Sequence, residues 1–312
     1  MSLLLWLAAL PCLWWTQGVE SAASLETAGI QRVCVPTGQA EAWTRTGLTA
    51  VPLSETDLAL RDPVSVPGIK ARVDRASATR SPWIFANGWR FLRDPAGHYL
   101  YDVPAGKAAL AAAEAYAYGA DAVLKIEPAD LQSLGQMMSF LSHLPPADLP
   151  DVADLGVVDD GTATVGEVLN LLVRRNLLFR IVKGESAQFR VNVRLGSAEY
   201  PQDAAKDPSA LALKIRRQLA DAQRSLRIFG SEVVIGRLTS DGKRTRLHLL
   251  NYGGRDVEGV RVRLRGAPPE GEARVAGQGR LALEDRAVID DGTEFTVPRL
   301  GAYGVVDLPP AK

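Results

Sequence analysis

Short apolar runs alternate with amphipathic segments from about residue 30 to about residue 230. The apolar runs predict strands at residues 33–35, 48–51, 83–86, 122–126, 155–159, 177–182 and 189–193. Segments with a helical period of apolar residues lie between several of these runs. This alternation predicts an α/β structure with mostly parallel strands.

Four of the amphipathic segments carry helix start or stop signals. Residues 107–118 are rich in alanine and end at Gly119, which suits a left-handed cap. Asp130 precedes apolar residues at three- and four-residue spacing, and we expect it to cap that helix. A capping box at residues 164–167 predicts a third helix, and Asp207 followed by proline predicts a fourth.

Beyond about residue 230 the apolar period changes from 3.6 to 2. Residues 232–238 and 245–252 flank Ser240-Asp241-Gly242, which is a hairpin signal. Residues 260–265 alternate apolar side chains with arginine, which indicates a strand with one face on a core. The C-terminal part, residues 230–312, is therefore predicted to be an all-β sandwich.

An unbroken apolar run at residues 3–15 predicts a signal peptide. The run is too short for a bilayer span, which needs about 20 residues, and it fits the apolar region of a leader. Small residues favour cleavage after Gly18 or after Ala23. We therefore expect residues 1–23 to be removed, the protein to be exported (periplasmic or secreted), and residues 24–229 to form the α/β part, with a possible sub-boundary near residue 150.

The two cysteines are interpreted from this boundary. Cys12 lies inside the predicted leader, and Cys34 lies in the apolar run at residues 33–35. The mature chain would then hold one cysteine, which has no internal partner. We expect Cys34 to be a buried structural residue.

Composition and motifs exclude several kinds of chemistry. The 36 basic and 36 acidic residues cancel, so the net charge favours neither nucleic acid nor a membrane surface. The three histidines show no metal-ligand spacing, and no dinucleotide fingerprint, phosphate loop or Gly-x-Ser-x-Gly elbow is present. We expect no cofactor, no metal and no nucleic-acid partner.

Carboxylates at predicted strand ends are the candidate catalytic residues. Glu127 follows one predicted strand, and Asp159 and Asp160 follow another. Loops at the carboxyl ends of parallel strands build ligand sites, and glycoside hydrolysis uses two carboxylates about 5 to 9.5 Å apart. The alternatives are a simple turn at Asp159-Asp160-Gly161 and a helix-favouring acid at Glu127.

Lys125 is a candidate ligand-binding cation. It lies inside the apolar run at residues 122–126 and shares a face with Glu127. An ion pair in the interior and a solvated position on an edge strand are the alternatives.

Aromatic residues near an amide and a guanidinium form a candidate sugar platform. Asn87, Trp89 and Arg90 are its proposed substrate-binding residues. The neighbouring aromatic residues are Trp83, Tyr99 and Tyr101. Aromatic packing in the core is the alternative interpretation.

Three segments, residues 81–90, 113–121 and 247–252, resemble TIM-barrel glycoside hydrolase relatives with a C-terminal β-sandwich. The resemblance implies a carbohydrate ligand and catalytic carboxylates at barrel strand ends. The α/β part spans about 200 residues against about 250 in a full barrel. We therefore expect a shortened TIM-barrel-like domain, or a half-barrel joined to a flavodoxin-like unit.

Two functions follow from the resemblance. The first is an exported glycoside hydrolase-like protein that acts on a poly- or oligosaccharide through Glu127 with Asp159 or Asp160. The second is a non-catalytic carbohydrate-binding or cell-envelope protein on the same scaffold. No Asn-Glu pair of the kind many such barrels carry stands at a predicted strand end.

Overall fold

A computed structural model of the chain describes residues 10–70, 83–146, 148–266 and 270–308. The chain divides into two compact units. The first unit comprises Met1–Gly68 with Asp94–Pro146, and the second comprises Ile69–Arg93 with Ala147–Lys312. The division after Pro146 lies close to the predicted sub-boundary near residue 150.

The elements are numbered here in chain order. The helices of the described part are α1 (Ala22–Ala28), α2 (Ala40–Thr44), α3 (Glu55–Ala59), α4 (Gly88–Arg93), α5 (Ala108–Tyr118), α6 (Leu131–Ser142), α7 (Ala163–Arg174) and α8 (Pro208–Leu219). None of these helices is long and apolar enough to cross a bilayer. The strands before Pro146 are β1 (Cys12–Trp14), β2 (Arg32–Pro36), β3 (Thr49–Leu53), β4 (Asp62–Val64), β5 (Gly68–Lys70), β6 (Trp83–Phe85), β7 (His98–Val103) and β8 (Asp121–Ile126). The later strands are β9 (Leu155–Val158), β10 (Phe179–Val182), β11 (Val191–Val193), β12 (Leu226–Phe229), β13 (Val234–Ser240), β14 (Thr245–Asn251), β15 (Val257–Arg265), β16 (Glu272–Val275), β17 (Gly279–Ala282), β18 (Glu284–Ile289), β19 (Gly292–Leu300) and β20 (Tyr303–Leu308).

A six-stranded parallel sheet forms the first unit, in the order β3-β2-β1-β8-β7-β4. The steps from β1 to β2, from β2 to β3 and from β7 to β8 all run in the same direction along this order. Because parallel crossovers are right-handed, steps in one direction place their connecting helices on one face of the sheet. Helix α6 packs against both α1 and α5. The other face of the sheet carries a separate small apolar cluster around Cys12, Cys34 and Val123.

Strand β1 lies at the centre of this sheet, between β2 and β8. Cys12, Leu13 and Trp15 are buried, and the guanidinium of Arg32 donates a hydrogen bond to the carbonyl oxygen of Leu10. Residues that the sequence assigns to a signal peptide are therefore part of the folded first unit. Removal of residues 1–23 stays a prediction, and a chain shortened in that way would lack β1.

A disulfide joins Cys12 to Cys34, with Cα atoms 5.6 Å apart. The prediction that Cys34 has no partner is wrong, because it rested on assigning Cys12 to a discarded segment. Parallel pairing places Leu13 beside Val33 and Trp14 beside Cys34, so the two cysteines lie on adjacent strands, and their Cα separation is within the range that a disulfide requires.

Asp130 caps a different helix from the predicted one. Its side chain makes no capping bond to α6, which starts directly after it. Its carboxylate instead accepts hydrogen bonds from three backbone N–H groups at the start of α5, those of Gly106, Lys107 and Ala108, at 2.6, 3.1 and 3.0 Å. Asp130 thereby connects the starts of two neighbouring helices, and the predicted left-handed cap at Gly119 is confirmed.

Helices α1 and α6 meet at Gly135, where their backbones are in direct contact. A Cβ atom added to Gly135 would lie 1.7 Å from the carbonyl oxygen of Ala28. No real Cβ tolerates such a distance, so only glycine permits this helix contact.

The second unit contains a three-stranded parallel sheet in the order β10-β9-β11. The connection from β10 to β11 passes over β9 at Gly156, where an added Cβ would lie 2.7 Å from the Phe189 ring and 2.8 Å from Oδ1 of Asn192. Helix α7 follows β9, and its cap is Thr162, whose hydroxyl accepts from the backbone N–H of Val165 at 3.3 Å. The capping box predicted two residues later is therefore wrong.

Two antiparallel sheets complete the second unit, in the orders β12-β15-β19-β18 and β13-β14-β20-β16-β17. The predicted hairpin is confirmed by the pairing of β13 with β14 across residues 241–244. The apolar face predicted for β15 is also confirmed, because Val260, Val262 and Leu264 are buried, while on the other face Arg261 is half-buried and Arg263 is buried. The three apolar side chains share one apolar core with residues of both sheets.

Candidate functional site

The predicted site residues fall into two groups. Lys125 and Glu127 belong to the first unit. The members in the second unit are Asn87, Trp89, Arg90, Asp159 and Asp160. Each group is therefore considered by itself.

The first group lies at the carboxyl end of β8. Strand β8 ends at Ile126, and Glu127 continues with extended backbone angles of φ −73° and ψ 142°. Glu127 is exposed and Lys125 is half-buried. In the neighbouring strand β7, Asp102 is the register partner of Lys125 and is exposed.

Trp14 completes this arrangement on the other side of β8. Leu13 pairs with Leu124, so the next residues along the two parallel strands, Trp14 and Lys125, are neighbours. Trp14 is half-buried and packs on the apolar cluster that lies on the face opposite the connecting helices. We name the set Trp14, Asp102, Lys125 and Glu127 the carboxyl-edge row.

The charged side chains of the carboxyl-edge row have no internal partners among the described residues. Among the described residues, Asp102, Lys125 and Glu127 form no ion pair within 4.0 Å and no side-chain hydrogen bond. Elsewhere in the same sheet, Asp121 pairs with both Arg61 and His98, at 3.0 and 2.6 Å. The row therefore combines two carboxylates and an ammonium with a half-buried tryptophan on the next strand.

Sheet geometry sets the separation of the two carboxylates. Asp102 and Glu127 stand on neighbouring parallel strands, two positions apart in register. Strands lie about 4.8 Å apart and rise about 6.6 Å per two residues, so the two Cα atoms are about 8 Å apart. The two side chains therefore stand on one face of neighbouring strands, close to each other at the carboxyl end of the sheet.

The second group is organised by an arginine that the sequence did not reveal. Arg93 makes a two-pronged ion pair with Asp159, from Nε and Nη2 to the two carboxylate oxygens, each at 2.7 Å. Nη2 also donates to the carbonyl oxygen of Thr162 at 3.0 Å. The side chains of Arg93 and Asp159 are 20% and 13% exposed. Both oxygens of Asp159 are therefore held by the protein itself.

The ionised form of each aspartate is favoured here. Burial alone would raise the pKa of Asp159, but the hydrogen bonds from Arg93 and Gly161 and the charge of Arg93 bring that pKa below its ordinary value. Hydrogen bonds from the hydroxyl and the backbone N–H of Thr162, at 2.6 and 2.9 Å, lower the pKa of Asp160. Neither aspartate is poised as a proton donor near neutral pH.

The predicted sugar platform is built into helix contacts of the second unit. Asn87 is buried, and its carbonyl oxygen accepts from the backbone N–H of Arg90 at 2.8 Å, at the start of α4. The Trp89 ring lies 3.0 Å from the position of a Cβ on Gly166, so it packs against α7. Arg90 is half-buried.

The remaining aromatic residues show that core packing is the right interpretation for two of them. Tyr99 and Tyr101 are buried in the first unit. The Tyr101 hydroxyl donates to Oε2 of the buried Glu114 at 2.5 Å. Trp83 lies in the second unit, with the guanidinium of Arg174 4.1 Å above its ring.

Sequence reasoning missed three residues of these sites, and each has a different reason. Trp14 belongs to an aromatic pair that ends an apolar run before polar residues, and this pattern is a signal in the sequence. The run was interpreted as a leader instead. Asp102 lies in β7, where no strand was predicted. Nothing in the sequence pairs Arg93 with Asp159, because they are far apart in the chain. Among the described residues no group of three or more His, Cys, Asp or Glu side chains is placed to hold a metal ion.

No protein-family model matches the chain, and no curated protein matches it. The structure is similar to the alpha-L-fucosidase isoenzyme 2 from Paenibacillus thiaminolyticus, with a TM-score of 0.53 and 11% sequence identity over 88% of this chain and 70% of that chain. It also matches the cold-adapted β-galactosidase from Rahnella sp. R3, with a TM-score of 0.38 and 10% identity over 71% of this chain and 61% of that chain. A GH42 β-galactosidase from G. stearothermophilus gives a TM-score of 0.38 and 8% identity over 79% and 53% of the two chains. The likeness to the fucosidase confirms the predicted resemblance to glycoside hydrolase folds, as a diffuse likeness of fold.

Proposed function

We propose that this chain is an exported carbohydrate-active protein that binds a poly- or oligosaccharide at the carboxyl-edge row. The observation that carries the proposal is the position of Trp14, half-buried at the end of the central strand and next to Lys125. Loops and strand ends at the carboxyl edge of a parallel sheet are where α/β proteins bind ligands.

The chemistry of the row suits a sugar. An indole face offers a flat apolar surface for the C–H side of a pyranose ring, and its neighbours offer hydrogen-bond partners for hydroxyl groups. Lys125 donates, while Asp102 and Glu127 accept. Because the protein leaves these three groups unpaired among the described residues, binding would not have to break an internal ion pair.

The scaffold supports the same proposal. The sheet of the first unit is wound in one direction, and its first strand pairs with its last, as in a (β/α) barrel. We propose a shortened barrel that is open between β3 and β4, joined to an α/β unit and a C-terminal β-sandwich. The likeness in fold to the fucosidase agrees with this arrangement.

Hydrolysis is the second candidate function, and the position of Asp102 and Glu127 on one face of neighbouring strands favours it. With Cα atoms about 8 Å apart, one carboxyl group could protonate a leaving oxygen while the other activates water. In the second unit, Asp159 is already held by Arg93. We therefore place any catalytic pair at Glu127 with Asp102, and the Glu127 part of the original prediction is kept.

Binding is tested by calorimetry of the full-length chain against a panel of neutral and acidic polysaccharides. We expect Trp14→Leu to weaken binding at least tenfold, since stacking on an aromatic face contributes on the order of 1 kcal/mol or more. Glu127→Gln should weaken it less, and Glu41→Gln, on an exposed helix of the same unit, is the matched control. Equal affinity of Trp14→Leu and wild type, or no binding to any polysaccharide, would refute the proposal.

Hydrolysis is tested separately, by release of reducing ends from any polysaccharide that binds. Asp102→Asn and Glu127→Gln should each abolish release while binding persists. Loss of release in Asp159→Asn alone would move the catalytic site to the second unit. Absence of release by the wild type would leave the binding function as the one that the carboxyl-edge row performs.

A further inference from the structure

We infer that residues 10–23 stay in the folded protein, with Cys12 oxidised to a disulfide with Cys34, so that the bonds after Gly18 and Ala23 are not processing sites. The inference concerns maturation and does not depend on carbohydrate binding. The proposed binding site, in contrast, depends on it, because Trp14 lies in the same segment.

The first argument is the position of β1 in the sheet. It forms parallel pairs with β2 on one side and β8 on the other. Without it, β2-β3 and β8-β7-β4 would be two separate ribbons, and each would expose the backbone groups that β1 now pairs. A leader that is cut away cannot be the strand that joins the two halves of a sheet.

The second argument is the side chains that β1 places on each face. Leu13 is buried, while Cys12 lies in the apolar cluster on the opposite face. The backbone N–H of Trp15 donates to the carbonyl oxygen of Cys34 at 2.8 Å, and its indole N–H donates to Oγ of Ser21 at 2.9 Å. These bonds hold residues on both sides of the bond after Gly18 and connect the segment to β2.

The third argument is the conformation of the two candidate cleavage points. Ser21 Oγ donates to the carbonyl oxygen of Gly18 at 2.6 Å, and the Ser21 backbone N–H donates to the same oxygen at 3.0 Å. The bond after Ala23 lies inside α1 (Ala22–Ala28), in which Leu25 is buried. The bond after Ala23 therefore lies inside a helix, and the bond after Gly18, a residue with extended angles of φ −71° and ψ 170°, leads directly into the 3₁₀ turn Val19–Ser21.

The disulfide adds a constraint on the compartment. Forming it removes two electrons and two protons from the Cys12 and Cys34 thiols, which an oxidant such as a protein disulfide must accept by thiol exchange. Persistent disulfides of this kind belong to oxidising compartments. Retention of Cys12 is therefore compatible with the proposed export, provided that export does not remove residues 1–23.

Thiol counting on the purified full-length chain tests the inference. The chain is expressed with its own N-terminus and a C-terminal tag, recovered from the periplasm or medium without reductant, denatured, alkylated and weighed intact. We expect a chain that begins before residue 10, with no alkylated cysteine before reduction and two after it. A chain that begins at residue 19 or 24, with one cysteine, would overturn the inference, and two free thiols before reduction would overturn the disulfide.

A second measurement does not depend on how the host processes the chain. Residues 24–312 are produced alone and their thermal unfolding is compared with that of the full-length chain. We expect the truncated chain to lose the protease-resistant first unit. A truncated chain with unchanged melting temperature and resistance would show that β1 is dispensable, and the inference would fail.

Discussion

The two units differ in what they do with their charged residues. In the second unit Asp159 pairs with Arg93, Asp307 with Arg246 and Asp151 with Arg237. In the first unit Asp121 pairs with Arg61 and His98, but the carboxyl-edge row is left without ion pairs among the described residues. A carboxylate is available to a ligand only where the fold does not already use it.

The comparison changes how the strand-end acids are ranked. By sequence, Asp159 and Glu127 look equivalent, since each follows an apolar strand. By structure, the Asp159 side chain pairs within its own unit, whereas the Glu127 side chain has no hydrogen bond or ion pair among the described residues. We therefore expect substitution of a paired acid in the second unit to lower stability, and substitution in the carboxyl-edge row to weaken ligand binding.

The largest effect on stability is expected at the contact between α1 and α6. Gly135→Ala would force Cβ against the Ala28 carbonyl oxygen, which is fixed backbone. We expect the free energy of unfolding to fall by about 3 kcal/mol or more, which lowers the urea midpoint of the first unit. In the second unit, Gly166→Ala meets the ends of Trp89 and Arg93 at 3.0 Å, and these side chains can move.

For Gly166→Ala we expect a smaller loss, of about 1 kcal/mol, in the free energy of unfolding. If Gly135→Ala were as mild as Gly166→Ala, the backbone contact between α1 and α6 would not be as close as described.

The next effect concerns the disulfide of the first unit. The double substitution Cys12→Ala with Cys34→Ala removes a cross-link between residues with a sequence separation of 22. A loop of this size predicts a loss of about 3 kcal/mol in the free energy of unfolding. Urea unfolding in the absence of reductant measures it, and adding reductant should bring the wild type to the same midpoint. A wild type that is insensitive to reductant would contradict the assignment.

A smaller effect is expected at the ion pair of the second unit. Asp159→Ala leaves Arg93 charged and mostly buried. We therefore expect the free energy of unfolding to fall by about 2 kcal/mol. Asp160→Ala is the control, because Asp160 is exposed and bonds only within its own loop. Its loss should stay under about 1 kcal/mol. Polysaccharide binding should be unchanged in both variants, and a change in Asp159→Ala alone would return this aspartate to the list of ligand-binding residues.

The last effect is a pH dependence in the antiparallel part of the second unit. Burial, together with the charges of Arg237 and Arg246, holds the pKa of His248 well below its ordinary value of 6.5. Below that pH the unfolded chain binds a proton that the folded chain does not, so stability falls as the pH drops, by at most about 1.4 kcal/mol per pH unit. His248→Gln, which can still bond the Tyr303 hydroxyl, should remove that part of the slope between pH 6.5 and 5. An unchanged slope would assign the effect to other groups.

Much of the fold follows from local patterns. The α5 cap at Gly119, the β13-β14 hairpin and the one-sided strand β15 were predictable because each is specified by residues close together in the chain. The partners of capping side chains were harder to predict from the sequence. Asp130 has a suitable position for α6 but bonds to α5, because three unpaired N–H groups of another helix lie within its reach.

The site was less predictable for a related reason. Strand β1 and a leader share one sequence signature, a short apolar run, and only pairing with β2 and β8 distinguishes them. The pairing of Arg93 with Asp159 and the alignment of Asp102 with Lys125 depend on register between distant segments. Side-chain pattern alone does not encode that register.

The place of β1 also sets an order of events during synthesis. Strand β1 is made before both of its partners. One of them, β2, follows soon afterwards, but the other, β8, ends only at Ile126. The first unit therefore has to keep an apolar strand uncovered until much of the chain has been made. Contacts between segments so far apart in the sequence slow folding, and aggregation-prone segments stay exposed for longer. We expect nascent chains that stop before β8 to depend on chaperones for solubility.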